Sequence, residues 1–334
     1  MRIGVDVGFG VTKAATYEGG KLQSVSFPSV LGQAQELAAY ALGLGGKRLK
    51  ARRVGYEGGE WYIGDDALLH SRAQGMRQDR GRIGSTEERL LALVAIAALA
   101  GDAAEVEAQV VTGLPVLLFE AQDRKALAQS WRGMHKLTLG GRRLTIAVKQ
   151  VRVIPQPIGG FFSWALAEDG VARVAEADLL RSYALWDVGW NTTDLTAIKD
   201  GQPIARWSGG ERTGARRVVE IVADRVQHLY GLDLDPHETD TAVRRGYVEP
   251  YGERKDIRPL VAAAVRDVAD DVKAKATALW NTGEDFARVF IFGGGAILLG
   301  KAILEAFPRN GELLPRPELA NALGFARFAL RNVW

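Results

Sequence analysis

The stretch that decides the fold is the opening run Ile3-Gly4-Val5-Asp6-Val7-Gly8-Phe9-Gly10-Val11-Thr12-Lys13. Apolar residues alternate up to a carboxylate, glycines interrupt the alternation, and a second β-branched run follows, which is the pattern of a β-hairpin. Gly8 and Gly10 leave room for backbone N–H groups to approach an anion, and Lys13 adds a compact positive charge. Asp6 cannot itself face a phosphate, so we expect it to act through a divalent cation or the water bound to that cation.

The same pattern recurs in the second half of the chain as Asp187-Val188-Gly189-Trp190-Asn191-Thr192-Thr193. Asp, Val, Gly, an aromatic residue and the final Thr return in register, and an apolar run at residues 183–186 precedes this copy too. Two related halves that face each other across a cleft would each offer backbone donors and one carboxylate, Asp6 or Asp187. That arrangement suits a triphosphate with Mg²⁺. Two unrelated hairpins with similar turns are the alternative interpretation.

The composition bounds the class of protein. With 334 residues, of which 47% are hydrophobic and 25% charged, the chain is expected to form about two domains with sizeable cores. Lys and Arg number 43 against 40 Asp and Glu, and the net charge of +3 predicts no direct binding of nucleic acid. The chain has no Cys, which excludes disulfides and thiolate metal sites. Since no signal-peptide pattern and no membrane-length apolar helix are apparent, we expect a cytoplasmic protein without a membrane contact.

Residues 31–64 read as a small inserted subdomain, because they are rich in glycine and contain a basic run at residues 47–53. The run lacks interleaved aromatic residues, so a solvated face or a protein contact is favoured over nucleic-acid binding. A small hairpin is predicted at residues 56–64.

Gln156 lies at the junction of the two halves, between a strand at residues 151–154 and a helix predicted at residues 158–167. Pro155 holds the preceding backbone extended, and Pro157 favours a helix start. A neutral amide at this junction can donate to and accept from one water molecule, and so orient it for in-line attack without acting as a base. The alternative is that Gln156 caps the helix or binds a neighbouring side chain.

The second half repeats the plan after the Asp187 hairpin. We expect a strand at residues 204–207, helices at residues 215–230, 235–246 and 257–281, and a terminal helix at residues 325–334. Arg244, Arg245 and Tyr247 are candidate contacts for a ribose or base, with an exposed basic helix end as the alternative.

Three consecutive glycines, Gly293-Gly294-Gly295, follow a predicted strand at residues 289–292 and precede a helix. They allow close approach to a flat or anionic ligand at the positive end of the helix dipole. The run does not match the G-x-G-x-x-G fingerprint, and no acidic residue follows at the ribose distance, which disfavours a nicotinamide cofactor.

Five segments stand in the order found in the actin/Hsp70/sugar-kinase superfamily. Residues 3–13 and 185–196 resemble its two phosphate loops, and residues 151–160 and 318–327 resemble its two connecting segments. Residues 289–299 resemble its adenosine motif. Within the superfamily the chain resembles the prokaryotic actin-like ATPases of the ParM/StbA type. The motifs that carry this resemblance are Val111-Thr112-Gly113-Leu114-Pro115-Val116, Val153-Ile154-Pro155-Gln156, Phe292-Gly293-Gly294-Gly295-Ala296 and Ala320-Asn321-Ala322-Leu323-Gly324.

The resemblance implies an α/β fold with two related actin-like (ribonuclease H-like) domains, a nucleotide cleft between them and a small inserted subdomain in each. Domain I would comprise residues 1–168 and 321–334, with its insert at about 31–64. Domain II would comprise residues 169–320, with a helical insert at about 212–258.

The resemblance also implies an ATPase that polymerises into filaments, for plasmid segregation through a DNA-binding adaptor protein or for cytoskeletal organisation. Asp6, Asp187 and Gln156 would be the catalytic set, with the two aspartates holding Mg²⁺ through water and Gln156 orienting the attacking water. Several ParM-type proteins have Glu where this chain has Gln156, which brings its hydrolytic step closer to that of actin. The residues expected to contact ATP or ADP are Gly8, Phe9, Gly10, Lys13, Gly189, Trp190, Asn191, Thr192, Gly209, Gly210, Arg245, Gly293, Gly294 and Gly295.

Two other functions fit the same hairpins. A small-molecule kinase of the superfamily would need a catalytic carboxylate aimed at a substrate hydroxyl, and no candidate stands out in the sequence. A non-polymerising scaffold would retain ATP without hydrolysing it. Filament formation with turnover separates the three hypotheses.

Overall fold

Two mixed β-sheets, one in each half of the chain, organise the computed structural model, which describes residues 1–34, 53–71, 74–75, 77, 79–331 and 334. Most of the predicted insert and its basic run, residues 35–52, lie outside the described residues. The strands of the described part are β1 (Arg2–Val7), β2 (Val11–Glu18), β3 (Lys21–Pro28), β4 (Val30–Gln33), β5 (Val54–Tyr56), β6 (Gly59–Ile63), β7 (Gln74–Gly75), β8 (Glu105–Leu114), β9 (Gly133–Leu139), β10 (Arg142–Pro155), β11 (Tyr183–Val188), β12 (Thr193–Lys199), β13 (Gln202–Pro203), β14 (Gly209–Glu211), β15 (Tyr247–Val248), β16 (Lys255–Asp256), β17 (Arg288–Phe292) and β18 (Gly311–Leu313).

The helices of the same ranges connect these strands. They are α1 (Asp65–His70), α2 (Thr86–Leu99), α3 (Ala121–Trp131), α4 (Gln156–Ala165), α5 (Glu176–Leu179), α6 (Ala215–Tyr230), α7 (Pro236–Arg245), α8 (Arg258–Trp280), α9 (Ala296–Leu304) and α10 (Ala320–Ala329). Among the described helices, none combines the length and the apolar character that a bilayer span requires.

The first sheet has the strand order β3-β2-β1-β8-β10-β9-β5-β6-β4-β7. β1 pairs with β2 as the predicted antiparallel hairpin and with β8 in parallel. Successive side chains of a strand face opposite sides of its sheet. Ile3 and Val5 accordingly pack into the core that contains α2, whereas Gly4 faces the backbone of α10. Helices therefore cover this strand on both faces.

The second sheet has the order β13-β12-β11-β17-β18, with β14 paired to β12. Trp186 in β11 belongs to a core with α6, α8 and α9, and its ring packs edge-on against Trp280 and Phe307. Tyr183 and Leu185, on the opposite face of the same strand, join a separate core that contains side chains of α4 and α10. Both faces of β11 are buried, which explains its uninterrupted apolar run.

Helices α4 and α10 pack against each other and lie between the two sheets. Their backbones approach so closely that a Cβ at Gly324 would lie 1.7 Å from the carbonyl oxygen of Gly159. A Cβ at Gly159 would in turn lie 2.8 Å from the Cα of Asn321. Only glycine fits either position, so this contact sets the distance between the helices.

Two predicted elements were wrong. Residues 204–207 do not form a strand, because Ser208 closes a 3-10 turn (Ala205–Trp207) by donating to the Ile204 carbonyl. The terminal helix begins at Ala320 rather than at residue 325 and ends at Ala329. Gly324 suggests a helix boundary by its helix propensity, but tertiary contact with α4 outweighs that preference. The helix predicted at residues 215–230 is confirmed, with Gly231 ending it at a φ of 69°.

His135 links the β5–β6 hairpin to the body of the first sheet. Its Nε2 lies 2.9 Å from the Trp131 carbonyl, which can only accept, so the proton sits on Nε2 and Nδ1 accepts from the Tyr56 hydroxyl at 2.9 Å. Arg89 donates to the same hydroxyl at 2.8 Å. Burial lowers the pKa of His135, and the nearby Arg89 charge acts in the same direction.

We predict that Gly324→Ala destabilises the protein by more than about 2 kcal/mol, because the added methyl group must push α4 and α10 apart. Urea unfolding measures the effect. Gly75→Ala is the control, since a Cβ there meets nothing within 4 Å. Equal stability of the two variants would contradict the close helix contact.

We also predict that the contribution of His135 to stability falls as the pH is lowered below about 6.5, the ordinary pKa of His. The folded-state pKa of His135 is lowered, so the unfolded chain binds more protons in this range, and the loss is at most about 1.4 kcal/mol per pH unit for one group. His135→Gln should remove this component. Denaturation curves of both proteins between pH 5 and 7 test it, and parallel pH profiles would contradict it.

Candidate functional site

A cleft of about 340 Å³ lies where the β1–β2 and β11–β12 turns come together. The two turns share one internal bond: Gly8 donates its N–H to the Val11 carbonyl at 3.2 Å, and Gly189 donates to the Thr192 carbonyl at 2.8 Å. In each glycine, a Cβ would approach that same carbonyl to 2.8 Å. The repeated sequence pattern therefore corresponds to a repeated backbone geometry.

The two turns also touch each other. A Cβ at Gly10 would come within 2.8 Å of the Trp190 ring, so the first turn packs against the side chain of the second. The first N–H groups of α6 hold the second turn, since Ala215 donates to the Gly189 carbonyl at 3.1 Å and Arg216 to the Trp190 carbonyl at 2.8 Å. These groups are no longer available to bind an external anion.

Asp6, one residue before the end of β1, has a charged partner. Its cross-strand partner in the hairpin is Lys13, whose Nζ lies 3.6 Å from the carboxylate. Gln156, the first residue of α4, donates from Nε2 to Asp6 Oδ1 at 3.0 Å. Asp6 is buried, and one cation and one amide contact its carboxylate.

Asp187 occupies the equivalent place in the second hairpin, but its cross-strand partner is a second carboxylate, Asp194. Burial is the main cause that raises the pKa of Asp187 to about 7, and the carboxylates of Asp194 and Asp6 add to it. A hydrogen bond of 2.7 Å from Asn321 Nδ2 and the charge of Lys13 act in the opposite direction. Burial alone raises the pKa of Asp194, also to about 7.

The three carboxylates of Asp6, Asp187 and Asp194 line one cleft in which Lys13 is their closest cation. Oxygen ligands of this kind suit a hard divalent cation such as Mg²⁺, whose charge would relieve their mutual repulsion. In the part of the chain that is described, no group of three or more His, Cys, Asp or Glu side chains is arranged to ligate a metal directly.

The glycine run Gly293-Gly294-Gly295 forms another wall of the cleft. Gly293 has a φ of 95° and packs its Cα side against Asp187 Oδ1, where a Cβ would lie 2.3 Å away. A Cβ at Gly294 would be in ordinary van der Waals contact with Lys13 Nζ, at 3.7 Å, so the main chain of Gly294 lies next to the lysine. This wall can accept a ligand directly against its main chain.

Helix α7 borders the cleft with an acid–base pair. Arg244 donates from Nε to Asp240 Oδ2 at 2.8 Å. Asp240 Oδ1 is buried and has no hydrogen-bond partner. An unpartnered buried acceptor in a cleft indicates a position where a ligand donor binds.

Most of the predicted site residues line this cleft. They are Asp6, Gly8, Phe9, Gly10, Lys13, Gln156, Asp187, Gly189, Trp190, Thr192, Gly294 and Gly295. The predicted residues that do not line the cleft include Gly293, Gly209, Gly210, Arg245 and Asn191. Gly293 donates its N–H to the Pro317 carbonyl at 2.8 Å, Gly209 and Gly210 form β14, and Arg245 lies over the Tyr247 ring at 5.3 Å. Asn191 lines an adjoining cavity.

Other residues of the cleft were not predicted as site residues. They include Arg82, Asp194, Asp240, Glu318 and Asn321, whereas Arg244, a candidate from the sequence, does line the cleft. The repeat could have identified Asp194, because it occupies the place of Lys13 in the second hairpin. Asn321 belongs to the motif at residues 320–324, whose pattern by itself assigns no role to its side chain. No sequence signal distinguishes Arg82 from the other arginines of residues 72–82.

Two family models match the chain. The model of the N-terminal domain of actin-like proteins matches residues 4–159, and that of the C-terminal domain of the archaeal actin homologue MreB-like family matches residues 185–305. No curated protein sequence matches the chain.

Several solved structures share the fold along nearly the whole chain. The archaeal actin homologue Ta0583 in complex with ADP has a TM-score of 0.80 at 18% identity, with 99% of this chain and 100% of that chain covered. ParM in a 15-stranded filament from Clostridium botulinum has a TM-score of 0.76 at 20% identity, with 98% of each chain covered. Bacillus thuringiensis ParM with ATP has a TM-score of 0.70 at 17% identity, with 99% and 97% covered.

The TM-scores over nearly the whole chain establish a common fold, and the two family models, one in each half, account for most of the sequence. The chain therefore belongs to the actin-like proteins.

Proposed function

We propose that this chain binds ATP with Mg²⁺ in the cleft between its two sheets, hydrolyses it and assembles into filaments. The observation that carries the proposal is the pair of equivalent hairpins, each of which brings one glycine turn and one buried aspartate to the same cleft. A polyphosphate is a ligand that two such turns can grip from opposite sides. The structures of Ta0583 with ADP and of Bacillus thuringiensis ParM with ATP support nucleotide binding.

The phosphate chain is expected to lie beside Lys13 and Gly294, which both line the cleft. Lys13 supplies positive charge to the phosphate oxygens, and the glycine turns at Gly8 and Gly189 let those oxygens approach the backbone. Asp6 and Asp187 would hold Mg²⁺ through its water ligands, and the neighbouring Asp194 adds a third acceptor for them. Bound Mg²⁺ supplies charge neutralisation to the phosphates.

In the proposed mechanism Gln156 orients the attacking water. Its Nε2 donates to Asp6 Oδ1, which fixes the amide and leaves Oε1 to accept a hydrogen bond from a water molecule. An amide has no useful basicity, so its contribution is the position of the water in line with the phosphorus.

The nucleoside is expected between α7 and the start of α9. The unpartnered Asp240 Oδ1 can accept a hydrogen bond from a ribose hydroxyl or a base amino group. Ile297, which lines the same part and is 51% exposed, offers an apolar surface to a base. The neighbouring Arg244, rather than Arg245, borders the cleft.

Filament assembly is proposed from the family rather than from a surface of this chain. ParM of Clostridium botulinum, which shares the fold, is described as a 15-stranded filament. Plasmid segregation through a DNA-binding adaptor, or cytoskeletal organisation, is the corresponding cellular role. The partner would then be a second copy of the chain, with DNA reached only through the adaptor.

We predict that Gln156→Ala lowers the rate of ATP hydrolysis about 100-fold and changes the Kd of ATP less than threefold, because the variant loses the water-orienting oxygen and no phosphate contact. Phosphate release and calorimetric titration measure the two quantities. Gln150→Ala is the matched control, since Gln150 lies in the same strand region and binds Gln109 at 2.6 Å. Unchanged turnover would remove Gln156 from the mechanism.

We predict that the protein sediments as polymer with ATP and Mg²⁺ and disassembles as ADP accumulates. Light scattering follows the time course, and electron microscopy of the same samples shows the filaments. A protein that stays monomeric in every nucleotide and salt condition would contradict assembly. ADP formation that depends on an added sugar would instead favour the small-molecule kinase, and retained ATP without hydrolysis the scaffold.

A further inference from the structure

Arg82 is a buried arginine at the cleft for which the predicted mechanism has no use. Its side chain is 5% exposed, and it lines the cleft beside the first hairpin turn. Burying a guanidinium is costly unless its donors are satisfied, so the contacts it makes indicate what it does there.

Arg82 holds the first turn from outside the sheet. Its Nη2 donates to the carbonyl of Val7 at 2.5 Å, and its guanidinium lies 4.4 Å from the centre of the Phe9 ring. Val7 and Phe9 flank Gly8, so both contacts bear on one turn. The parallel pairing of β1 with β8 ends at Val5. Beyond that point the carbonyl of Val7 accepts a hydrogen bond from the Arg82 guanidinium.

In the second hairpin, a backbone N–H satisfies the equivalent carbonyl. The carbonyl of Val188, which corresponds to Val7, accepts the N–H of Gly295 at 2.8 Å. Further N–H groups from α6 hold the next two carbonyls, those of Gly189 and Trp190. In the first hairpin, the side chain of Arg82 takes the place that a main-chain donor has in the second.

Glu88 fixes the guanidinium in turn. Its Oε1 lies 3.3 Å from Arg82, and its Oε2 accepts the N–H of Gly84 at 2.7 Å. Ser85 caps α2 by accepting the Glu88 N–H at 3.1 Å, so the carboxylate is anchored to the start of that helix. A buried ion pair is weak evidence for stability, because desolvation offsets much of the attraction, so the pair calls for a role in placement.

We propose that Arg82 is a positioning residue for the phosphoryl-transfer step: it holds the Val7–Phe9 turn in the shape that receives the phosphates, with Glu88 as its anchor. This inference rests on the proposed ATPase function. Arg82 acts through the turn, so its loss should lower kcat by a factor of about 10 to 100, the usual cost of a small misplacement in an active site, and leave nucleotide affinity nearly unchanged.

The decisive variant is the double substitution Arg82→Met/Glu88→Gln, which removes both buried charges and keeps both side-chain volumes. Arg82→Met alone would leave Glu88 unpaired and so mixes a folding effect with the positioning effect. The matched control is Arg288→Met/Glu312→Gln, which removes an exposed Arg–Glu pair with a 2.7 Å contact at the opposite end of β17 from the cleft.

Two measurements are made on each protein: amide hydrogen exchange of Gly8 without nucleotide, and kcat with the Kd of ATP. We expect the double variant to unfold within a few degrees of the parent. Its Gly8 amide should exchange at least tenfold faster, and its kcat should fall at least tenfold. Arg82→Lys, which keeps a charged donor, should retain more turnover than Arg82→Met, and the control should match the parent in both measurements.

The outcomes separate this inference from the function on which it rests. A parent protein that does not hydrolyse ATP contradicts the proposed function, and the exchange of Gly8 still reports on the turn. If the double variant keeps both its slow exchange and its turnover, Arg82 does not position the turn. If turnover is lost in Arg82→Met and returns in the double variant, the unpaired charge of Glu88 was the cause and the positioning role is overturned.

Discussion

The contact between α4 and α10 is the constraint on which the cleft depends. The helices approach to backbone contact at Gly159 and Gly324 and lie between the two sheets. Each helix supplies one side-chain amide to one of the two hairpin carboxylates: Gln156 of α4 donates to Asp6, and Asn321 of α10 donates to Asp187. The spacing of the helices therefore also sets the spacing of the two acids.

Asn321 joins the two helices directly as well. Its Oδ1 accepts the N–H of Gly160 in α4 at 3.0 Å, while its Nδ2 binds Asp187. One buried side chain thus connects the second carboxylate to the helix that carries Gln156.

The two hairpins have the same backbone and different electrostatics. Asp6 faces Lys13, whereas Asp187 faces Asp194, so the second hairpin concentrates negative charge that its own residues do not neutralise. Burial raises the pKa values of both Asp187 and Asp194, and the charge of Asp194 raises that of Asp187 further. A divalent cation in the cleft would balance this charge.

The sequence by itself determined the hairpins, the repeat and most helices, because these follow from local periodicity, glycine at turns and capping residues. The helix that ends at Gly231 and the Asp-Val-Gly turns need only neighbouring residues to be understood. Tertiary structure alone decided which side chains meet at the cleft. Arg82, Asp240 and Asn321 come from distant segments, and no local pattern assigns them to the cleft. Gly324 shows the physical reason most clearly. Its low helix propensity favours a helix end, but α4 lies so close that only a residue without a side chain fits there. Packing therefore outweighs propensity at this position.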